Sequence, residues 1–472
     1  MAQEDKMSVP GWVQDSIFYQ IFPDRFANGH NGNNPKSVLP WNAKPTLVGF
    51  HGGDIKGIID HMYYLLDLGI NAIYLNPIFL SPSNHRYNAV DYFQIDPKLG
   101  NKVEFFTLLD VAHRNEMKVI LDGVFNHCGR GFFAFNDVLE NQSDSPYTDW
   151  FHIKKFPVDA YSPGDATTFD GWWKYKSLPK FNTSNPEVEK YILKVARYWI
   201  EQGIDGWRLD VPNEINDDGF WLRFRNVVRS ANPDAYLVGE IWDGDPRWVS
   251  DNHFDGLMNY PLRDLIVDML AGELKMEQFK FDLQKIQTKY SKENTKAMYN
   301  LLGSHDVERF LTKVGGDIAK AKLGYLLLFT MSGVPAIYYG DEIGLLGGKD
   351  PDCRRTFNWD ESQWMTPLRD WIKKLIRFRK DKVALRRGNF QLLNTEPGNN
   401  CLAFIRVIDH ECGLILINFE NSPSDMTIDL EGTPLATHKS LRNVLATEEF
   451  VVIDKKITVQ LPAVSGSLFF TY

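Results

Sequence analysis

The chain has 472 residues and a mass of 54.3 kDa, more than the ~100–200 residues of one average domain. Hydrophobic residues make up 43% and charged residues 24%, ordinary values that exclude disordered, collagen-like and coiled-coil proteins. With 52 basic and 61 acidic residues the formal net charge is −9, so the chain lacks the positive charge typical of nucleic-acid binding. Aromatic residues reach 13%, which fits either a large core or surfaces on which sugar rings stack.

The first residues, MAQEDKMSVPGW, contain acids and no apolar stretch, so we expect no secretory signal. No segment approaches the ~18 consecutive apolar residues of a membrane span. The four cysteines, Cys128, Cys353, Cys401 and Cys412, show no metal-type spacing. Cys401 and Cys412 could face each other on a hairpin, although reduced, buried thiols are the simpler expectation. These features predict a cytoplasmic protein that contacts neither membrane nor nucleic acid.

Short β-branched and aromatic runs alternate with longer amphipathic segments, such as 55–69 and 188–203, over most of the chain. Strands that alternate with helices indicate parallel βαβ units, and eight strands are the number of a TIM barrel. We therefore predict an α/β fold built on a (β/α)₈ barrel. The predicted strands are 16–22, 72–79, 118–126, 206–211, 235–242, 254–260, 297–306 and 336–344.

Two parts of the chain depart from this alternation. From His127 onward a long interval rich in aromatics, Gly, Pro and Asp predicts a small inserted domain after strand three, over residues 127–183. Near the end of the chain, alternating apolar runs without helical segments predict an antiparallel β-sandwich over residues 386–472. The barrel would then comprise residues 1–126 and 184–385.

Acidic side chains follow several of the predicted strands. Asp210 ends the fourth strand, Glu240 the fifth and Asp306 the seventh, and catalytic groups of TIM barrels lie at these carboxyl ends. One such carboxylate is commonly a helix N-cap, but three in one barrel mouth are difficult to explain that way. Converging carboxylates repel one another, so at least one should have a raised pKa. An ionised nucleophile beside a protonated acid is the arrangement that glycoside hydrolysis needs.

Four motifs in order, DGVFNH, GWRLDVPNE, VGEIW and LLGSHD, identify the sequence as a member of the α-amylase family, glycoside hydrolase family 13. Three further segments, IFYQIFPDRFANG, SPSNHRYNAVDYF and LPKFN, resemble the neopullulanase, cyclomaltodextrinase and maltogenic amylase group. The resemblance implies a retaining hydrolase of α-1,4 and also α-1,6 links in maltodextrins, cyclodextrins, pullulan or starch, with some transglycosylation. Its partners would be α-glucan substrates.

The resemblance also implies the roles of the carboxylates. Asp210 matches the nucleophile, Glu240 the general acid/base, and Asp306 the third carboxylate, which holds hydroxyls of the distorted sugar. Arg208 precedes Asp210 by two residues on the same strand, so both side chains point to the same side. Its guanidinium would keep Asp210 ionised.

Further positions match residues that contact sugars in the family: two histidines, an aromatic platform under the same sugar, an Asp–Arg pair toward the non-reducing side, and a polar pair on the leaving side. These positions are His127, His305, Tyr87, Asp350, Arg354, Asn213 and Glu214. Pro212 stands where the group more usually has Ala, which leaves the leaving-side preference open. Trp172 and Trp173 could either stack on a sugar or pack the insert's core.

A structural calcium ion is the one cofactor that the resemblance implies. The matching positions supply amide, backbone and carboxylate oxygens, which hard cations prefer. They are Asn28, Asn33, Asn34, Gly52 and Asp54. However, His30 stands where an Asp ligand is usual, so an Asn-rich turn without an ion remains the alternative.

Members of the resembled group commonly carry an extra N-terminal β-domain that builds a dimer, whereas here the first predicted strand begins at Ser16. We therefore expect a monomer whose cleft is bounded by the barrel loops and the insert. Two alternatives to the predicted activity remain. An oligo-1,6-glucosidase-type specificity is disfavoured by the segment LPKFN, and a non-catalytic sugar-binding homologue is disfavoured because the chain keeps all three carboxylates.

Overall fold

The structure, a computed structural model, describes residues 9–396, 399–446 and 448–470. Its first part is built on eight parallel strands. They are β1 (Phe18–Ile21), β2 (Ala72–Leu75), β3 (Lys118–Gly123), β4 (Gly206–Leu209), β5 (Tyr236–Gly239), β6 (Gly256–Leu257), β7 (Tyr299–Leu301) and β8 (Val334–Tyr338).

The eight strands lie in the order β6-β5-β4-β3-β2-β1-β8-β7, so neighbours along the chain are also neighbours in the sheet. Phe18 of β1 lies beside Ala72 of β2 on one side and Ala336 of β8 on the other. A parallel bridge between Met258 and Tyr299 joins the two ends of this order and closes the barrel. The predicted (β/α)₈ fold is confirmed. Each strand is shorter than its predicted run because the run includes buried residues of the loops that flank the strand.

Helices connect the strands, and their starts follow local capping rules. Asn101 and Glu104 form a reciprocal capping box at one helix start. The predicted helix over 55–69 is divided at His61, whose backbone leaves the helical conformation. No helix among the described residues combines the length and apolar character needed to cross a bilayer. The helices are α1 (Pro23–Phe26), α2 (Ile55–Asp60), α3 (Met62–Leu68), α4 (Lys102–Arg114), α5 (Phe133–Asn141), α6 (Pro186–Glu201), α7 (Asp218–Ala231), α8 (Tyr260–Ala271), α9 (Met276–Thr288), α10 (Lys292–Lys296), α11 (Phe310–Lys313), α12 (Ile318–Thr330), α13 (Thr366–Asp381) and α14 (Val383–Arg387).

Aromatic rings fill the amino-terminal end of the barrel interior. Phe18, Tyr236 and Tyr299 are the first residues of their strands and are buried. The ring of Phe18 lies 5.3 Å from that of Tyr299 and 6.1 Å from that of Tyr236. The Tyr236 hydroxyl donates to the carbonyl of Ala297 at 2.6 Å, so the polar end of this ring is also satisfied. This packed floor leaves only the carboxyl-terminal mouth of the barrel open for a functional site.

The chain between β3 and α6 forms a small unit over the barrel mouth. Antiparallel bridges join His127 to Lys180 and Phe151 to Phe181, which brings the two ends of the segment together. Phe135 of α5 packs edge-on against Phe151 with ring centres 4.9 Å apart. The sequence did not indicate α5, because its short apolar pattern lies among loop-type residues.

The last part of the chain is antiparallel, as expected. The eight strands are β9 (Asn389–Leu393), β10 (Cys401–Ile408), β11 (Glu411–Asn418), β12 (Ser424–Asp429), β13 (Ser440–Asn443), β14 (Glu449–Val451), β15 (Lys456–Leu461) and β16 (Ser465–Phe470). Six form one sheet in the order β9-β10-β11-β16-β13-β14, and β12 pairs with β15. Leu414, Ile428 and Phe469 belong to the buried cluster between these sheets. The strand β13 is an addition to the prediction, and the predicted strand residues Thr471 and Tyr472 lie outside the described residues.

The four cysteines are buried and unpaired. On the hairpin of β10 and β11, Cys401 lies opposite Asn418 and Cys412 lies opposite Val407. The two thiols therefore sit at opposite ends of the hairpin and do not face each other.

Two buried arginines bind the carboxyl end of α12, and one of them, Arg406, joins the C-terminal sheets to the barrel. Arg406 of β10 donates to the carbonyl of Thr330 at 2.6 Å and to that of Gly388 at 2.8 Å. Arg379 of α13 donates to the carbonyl of Phe329 at 2.9 Å. Both guanidinium groups therefore satisfy carbonyls at the carboxyl end of α12, where the helix dipole favours a cation. Neither arginine forms an ion pair with any of the described residues.

We expect Arg406→Met to lower the free energy of unfolding by about 2–4 kcal/mol, because two buried carbonyls lose charged hydrogen-bond donors. Urea unfolding followed by circular dichroism measures this change. The matched control is Arg377→Met on α13, whose side chain is 82% exposed. The control should change stability by no more than ~0.5 kcal/mol. Equal effects of the two variants would contradict the role assigned to Arg406.

Candidate active site

One guanidinium lies at the centre of the carboxyl-terminal mouth of the barrel. Arg208 of β4 is 1% exposed, and its Nη1 lies 2.8 Å from Asp122 Oδ1 and 2.8 Å from Asp210 Oδ1. Its Nη2 lies 2.9 Å from Glu240 Oε1. Because β3, β4 and β5 are adjacent, the carboxylates at or near their ends converge on the same cation. Asp210 and Glu240, predicted to form the catalytic pair, are therefore brought together.

The turn after β4 is strained. Val211 has φ = 34°, in the left-handed region that a β-branched residue rarely adopts. In this conformation the Val211 amide donates to Glu240 Oε2 at 3.1 Å. Such strain persists where the surrounding structure compensates for it, and it is common at functional sites. The turn thereby ties the residue after Asp210 to the second predicted catalytic carboxylate.

Burial and repulsion govern the protonation of the two carboxyls. Burial raises the pKa of Glu240 to about 7, with Arg208 opposing the shift and Asp306 reinforcing it. Burial also raises the pKa of Asp210, with Arg208 opposing and Glu240 reinforcing. Because a charged Glu240 raises the pKa of Asp210, protonation of one carboxyl favours ionisation of the other. One charged and one protonated carboxyl are what a displacement at a glycosidic carbon requires.

Asp306 stays ionised because a guanidinium and a ring N–H lie beside it. His305 Nε2 lies 3.1 Å from Asp306 Oδ2, and Arg354 Nη2 lies 3.3 Å from Asp306 Oδ1. Although burial opposes it, these neighbours lower the pKa of Asp306. Arg354 also pairs with Asp350 at 3.1 Å. The four predicted residues thus form one charged group beside the catalytic pair.

Hydrogen bonds fix the orientation of Tyr87 and His305. Gln20 donates to His305 Nδ1 at 3.0 Å, so the ring proton is assigned to Nε2, which lies 2.5 Å from the Tyr87 hydroxyl. That hydroxyl donates to Asp122 Oδ2 at 2.8 Å. The two rings lie parallel, 5.4 Å apart. Asp122 belongs to the motif DGVFNH, but the motif did not predict a role for it. In the structure its carboxylate accepts hydrogen bonds from both Tyr87 and Arg208.

His127 faces the insert. Asn126 Nδ2 lies 3.2 Å from His127 Nδ1, so the proton belongs on Nε2, which is buried and has no partner among the described residues. Burial lowers the pKa of His127 to about 3, which keeps the ring neutral. Its ring stacks on Trp172 at 5.2 Å, and Trp172 stacks on Trp173 at 4.8 Å. Trp172 therefore packs against a predicted site residue, while Trp173 is 73% exposed.

The predicted leaving-side pair lies away from the buried cluster. Asn213 and Glu214 follow Pro212 in a short turn and are exposed. Glu214 Oε2 pairs with Lys180 Nζ of the insert at 2.7 Å. The structure thus brings this pair to the rim of the mouth, where Lys180 neutralises the Glu214 carboxylate.

Sequence reasoning did not single out Trp242. This residue follows Glu240 by two positions, is 46% exposed and stacks on Tyr260 with ring centres 3.8 Å apart. Tyr260 is buried, and its hydroxyl lies 3.3 Å from the Ser304 hydroxyl. The motif VGEIW could have indicated this residue, because its last position is Trp242, two residues after Glu240.

The predicted calcium positions lie together in the loop between β1 and α2. Asn28 Nδ2 donates to Asn34 Oδ1 at 3.0 Å. Gly52 has φ = +83°, and an added Cβ there would lie 2.3 Å from Asn34 Oδ1, so only glycine fits. Asn28 Oδ1 and Asn33 Nδ2 are buried without a partner among the described residues. The unpaired amide oxygen of Asn28 and the neighbouring amide oxygen of Asn34 are ligands that fit a hard cation.

Asp54, the carboxylate among the predicted calcium positions, already accepts three hydrogen bonds from backbone amides. Asp54 accepts from the amides of Gly29 at 3.0 Å, His30 at 2.8 Å and Gly57 at 2.6 Å, which makes it the N-cap of α2. Of its two oxygens, only Oδ2, which accepts a single amide, retains a lone pair for an ion. The His30 side chain is 58% exposed and lies 3.9 Å from Glu104. The amide and carbonyl oxygens, and not a set of carboxylates, would therefore hold an ion here.

Comparison with known proteins agrees with this site. The family model described as "Alpha amylase, catalytic domain" matches residues 20–387. The cyclomaltodextrinase of Geobacillus thermopakistaniensis (strain MAS1) is 44% identical over 461 residues, 97% of this chain and 77% of that protein. Neopullulanase 2 of Thermoactinomyces vulgaris is 45% identical over 420 residues, 88% of this chain and 71% of that protein.

Among solved structures, the cyclic α-maltosyl-(1→6)-maltose hydrolase from Arthrobacter globiformis in complex with its substrate superposes with a TM-score of 0.90. It is 38% identical, and the match covers 98% of this chain and 100% of that chain. The chain therefore belongs to the α-amylase family. It is a glycoside hydrolase of that family that acts on α-glucans.

We expect Glu240→Gln to raise the melting temperature at pH 8 more than at pH 5. The pKa of Glu240 is about 7 in the folded protein and 4.5 in its ordinary state. Between pH 4.5 and pH 7 the folded state therefore keeps the Glu240 proton, whereas the unfolded state has lost it. Stability therefore falls as pH rises through this window, by up to about 3 kcal/mol, and the neutral amide removes that loss. Glu140→Gln on the exposed side of α5 is the control. Equal pH dependence of the wild type and Glu240→Gln would contradict the buried-charge argument.

Proposed function

We propose that the enzyme cleaves α-1,4 links, and also α-1,6 links, in small maltodextrins, cyclodextrins, pullulan and starch, with some transglycosylation. The contact of Arg208 with both Asp210 and Glu240 carries this proposal, because it places two carboxyls close enough to act on one sugar. The names of the similar proteins, a cyclomaltodextrinase and a neopullulanase, support the substrate class.

Each residue of the site has a proposed step. Asp210 attacks the anomeric carbon while Glu240 gives its proton to the departing glycosidic oxygen, which leaves a glycosyl ester on Asp210. Glu240 then takes a proton from a water molecule, and the oxygen of that water bonds to the anomeric carbon. The ester bond to Asp210 breaks, which releases the sugar and restores the Asp210 carboxylate. Asp306 and the buried Nε2–H of His127 bind sugar hydroxyls beside the reacting carbon. Tyr87, held by His305, lies under the same sugar.

The rim residues have proposed roles on either side of the bond. Asp350 and Arg354 bind sugars toward the non-reducing side, since they extend the charged group around Asp306. Asn213 and Glu214 face the leaving side, where Lys180 keeps the Glu214 carboxylate in place. Together they set the length of chain that the cleft accepts.

We expect Asp210→Asn to lower kcat at least ~10³-fold, because members of one catalytic unit are not replaceable singly. Hydrolysis of maltoheptaose, followed by the release of reducing ends, measures the loss. Asp243→Asn, at an exposed position near Glu240, is the matched control and should keep wild-type kcat. Circular dichroism confirms that both variants fold. Turnover of Asp210→Asn near that of the control would exclude Asp210 as the nucleophile.

The stereochemistry of the first product is a separate prediction. Two displacements at the anomeric carbon, through an ester on Asp210, give net retention. Proton NMR of the first sugar released from maltoheptaose should therefore show the α-anomer before mutarotation. An initial β-anomer would require a single displacement by water, and Asp210 would then not be the nucleophile.

We infer that the protein is a cytoplasmic monomer. All four cysteines are buried and unpaired in the structure, which fits a reducing compartment. Light scattering coupled to size-exclusion chromatography measures the oligomeric state.

We also propose that Ca²⁺ binds at Asn28, Asn33, Asn34, Gly52 and Asp54, with the unpaired amide oxygen of Asn28 as one ligand. The ion would hold the loop after β1 against the start of α2 and takes no part in the reaction. Because an ion bound only to the folded state stabilises it by mass action, EDTA should lower the melting temperature and added Ca²⁺ should restore it. An unchanged melting temperature after exhaustive dialysis would favour the empty turn.

A further inference from the structure

A cavity of about 460 Å³ lies between the loop after β1 and the segment after β8. This volume falls within the about 300–1,000 Å³ of small-molecule sites. Its walls contain no carboxylate, lysine or arginine and none of the proposed catalytic residues. The residues that matter for the argument are Asn28, Leu39, Trp41, His51, His61 and Trp359.

Two indoles give the cavity rigid apolar walls. Trp41 Nε1 donates to the carbonyl of Phe357 at 2.9 Å, and Trp359 Nε1 donates to that of Phe26 at 2.7 Å. Since both N–H groups are committed elsewhere, the indoles present carbon surface to the cavity. His61 stacks on Trp359 with ring centres 3.8 Å apart, which holds this indole in place. Flat carbon surface of this kind packs against the C–H face of a sugar ring.

His51 supplies an unpaired hydrogen-bond acceptor. Its Nδ1 lies 3.2 Å from the carbonyls of Pro40 and Trp41, so the ring proton belongs on Nδ1 and Nε2 carries a lone pair. The residue is 1% exposed, and Nε2 has no partner among the described residues. An unpaired buried acceptor destabilises the fold, and a hydroxyl of a bound ligand would remove that cost.

The cavity is separate from the catalytic cluster but close to it. The His51 amide donates to Asp24 Oδ2 at 2.9 Å, and Asp24 pairs with Arg25 at 2.7 Å. Arg25 Nη1 in turn donates to the carbonyl of Arg354 at 2.8 Å. Two buried side chains therefore lie between the cavity and a residue proposed to bind the non-reducing side of the substrate.

We propose that this cavity is a second carbohydrate-binding site, which holds a glucosyl unit of an α-glucan outside the catalytic cleft. The sugar packs its apolar face against the indoles of Trp41 and Trp359 and donates a hydroxyl to His51 Nε2. A neutral ligand with apolar faces and hydroxyl donors matches walls that carry no charge. The choice of an α-glucan rests on the proposed function.

The test counts binding sites in an enzyme whose hydrolysis is suppressed. Calorimetric titration of Glu240→Gln with maltotriose should give two sites, one in the cleft and one in the cavity. Adding His51→Phe, which keeps a ring and removes the acceptor, should weaken the second site at least tenfold. Adding Leu39→Trp, which fills the cavity, should leave one site. His410→Phe, at an exposed turn, is the matched control and should keep two.

A single site in the Glu240→Gln parent, or two sites unchanged by both cavity variants, would overturn the proposal. If His51→Phe does not fold by circular dichroism, Leu39→Trp decides. The titration is repeated in EDTA, since Asn28 and Asn34 belong both to the cavity wall and to the proposed calcium position. Loss of the second site in EDTA would assign the cavity to the ion and overturn the proposal. Hydrolysis of maltoheptaose by the wild type, measured in parallel, tests the proposed function separately.

Discussion

The contact of Arg208 with three carboxylates is the constraint on which the active end of this barrel depends. Asp122, Asp210 and Glu240 come from three neighbouring strands, and without a cation between them their charges would repel in a buried site. The guanidinium offers a fixed fork of donors, so it sets distances as well as charge. The alignment of Asp122 with Arg208 in the sheet is therefore also the alignment of the proposed reacting groups.

The placement of these carboxylates at the ends of buried strands explains why the sequence could predict the position of the site. Strands buried on both faces appear as apolar runs, and an acid that ends such a run is conspicuous, so the sequence predicts Asp210, Glu240 and Asp306 as site residues. Burial on both faces also made all eight barrel strands predictable. The family motifs then added Arg208, Tyr87 and the histidines, because each occupies a definite place relative to a strand end.

What the sequence did not reveal depends on contacts between distant segments. Asp122 was not assigned because its role arises from the hydroxyls of Tyr74 and Tyr87, which reach it from another strand and a loop. The pairing of Glu214 with Lys180 joins residues 34 positions apart in the chain, and no local pattern carries that information. The strand β13 has four residues and a single apolar side chain, Leu441, so it is too short for an alternation to be distinctive.

The pair of Lys180 and Glu214 has a consequence for the behaviour of the cleft in different media. Both side chains are partly exposed, at 23% and 34%, and the pair joins the insert to the turn that follows Asp210. Dissolved ions weaken such a contact, since the Debye length falls from ≈10 Å at 0.1 M to ≈3 Å at 1 M. The contact between the insert and the turn after Asp210 is thus strongest at low ionic strength and weakest at high salt concentration.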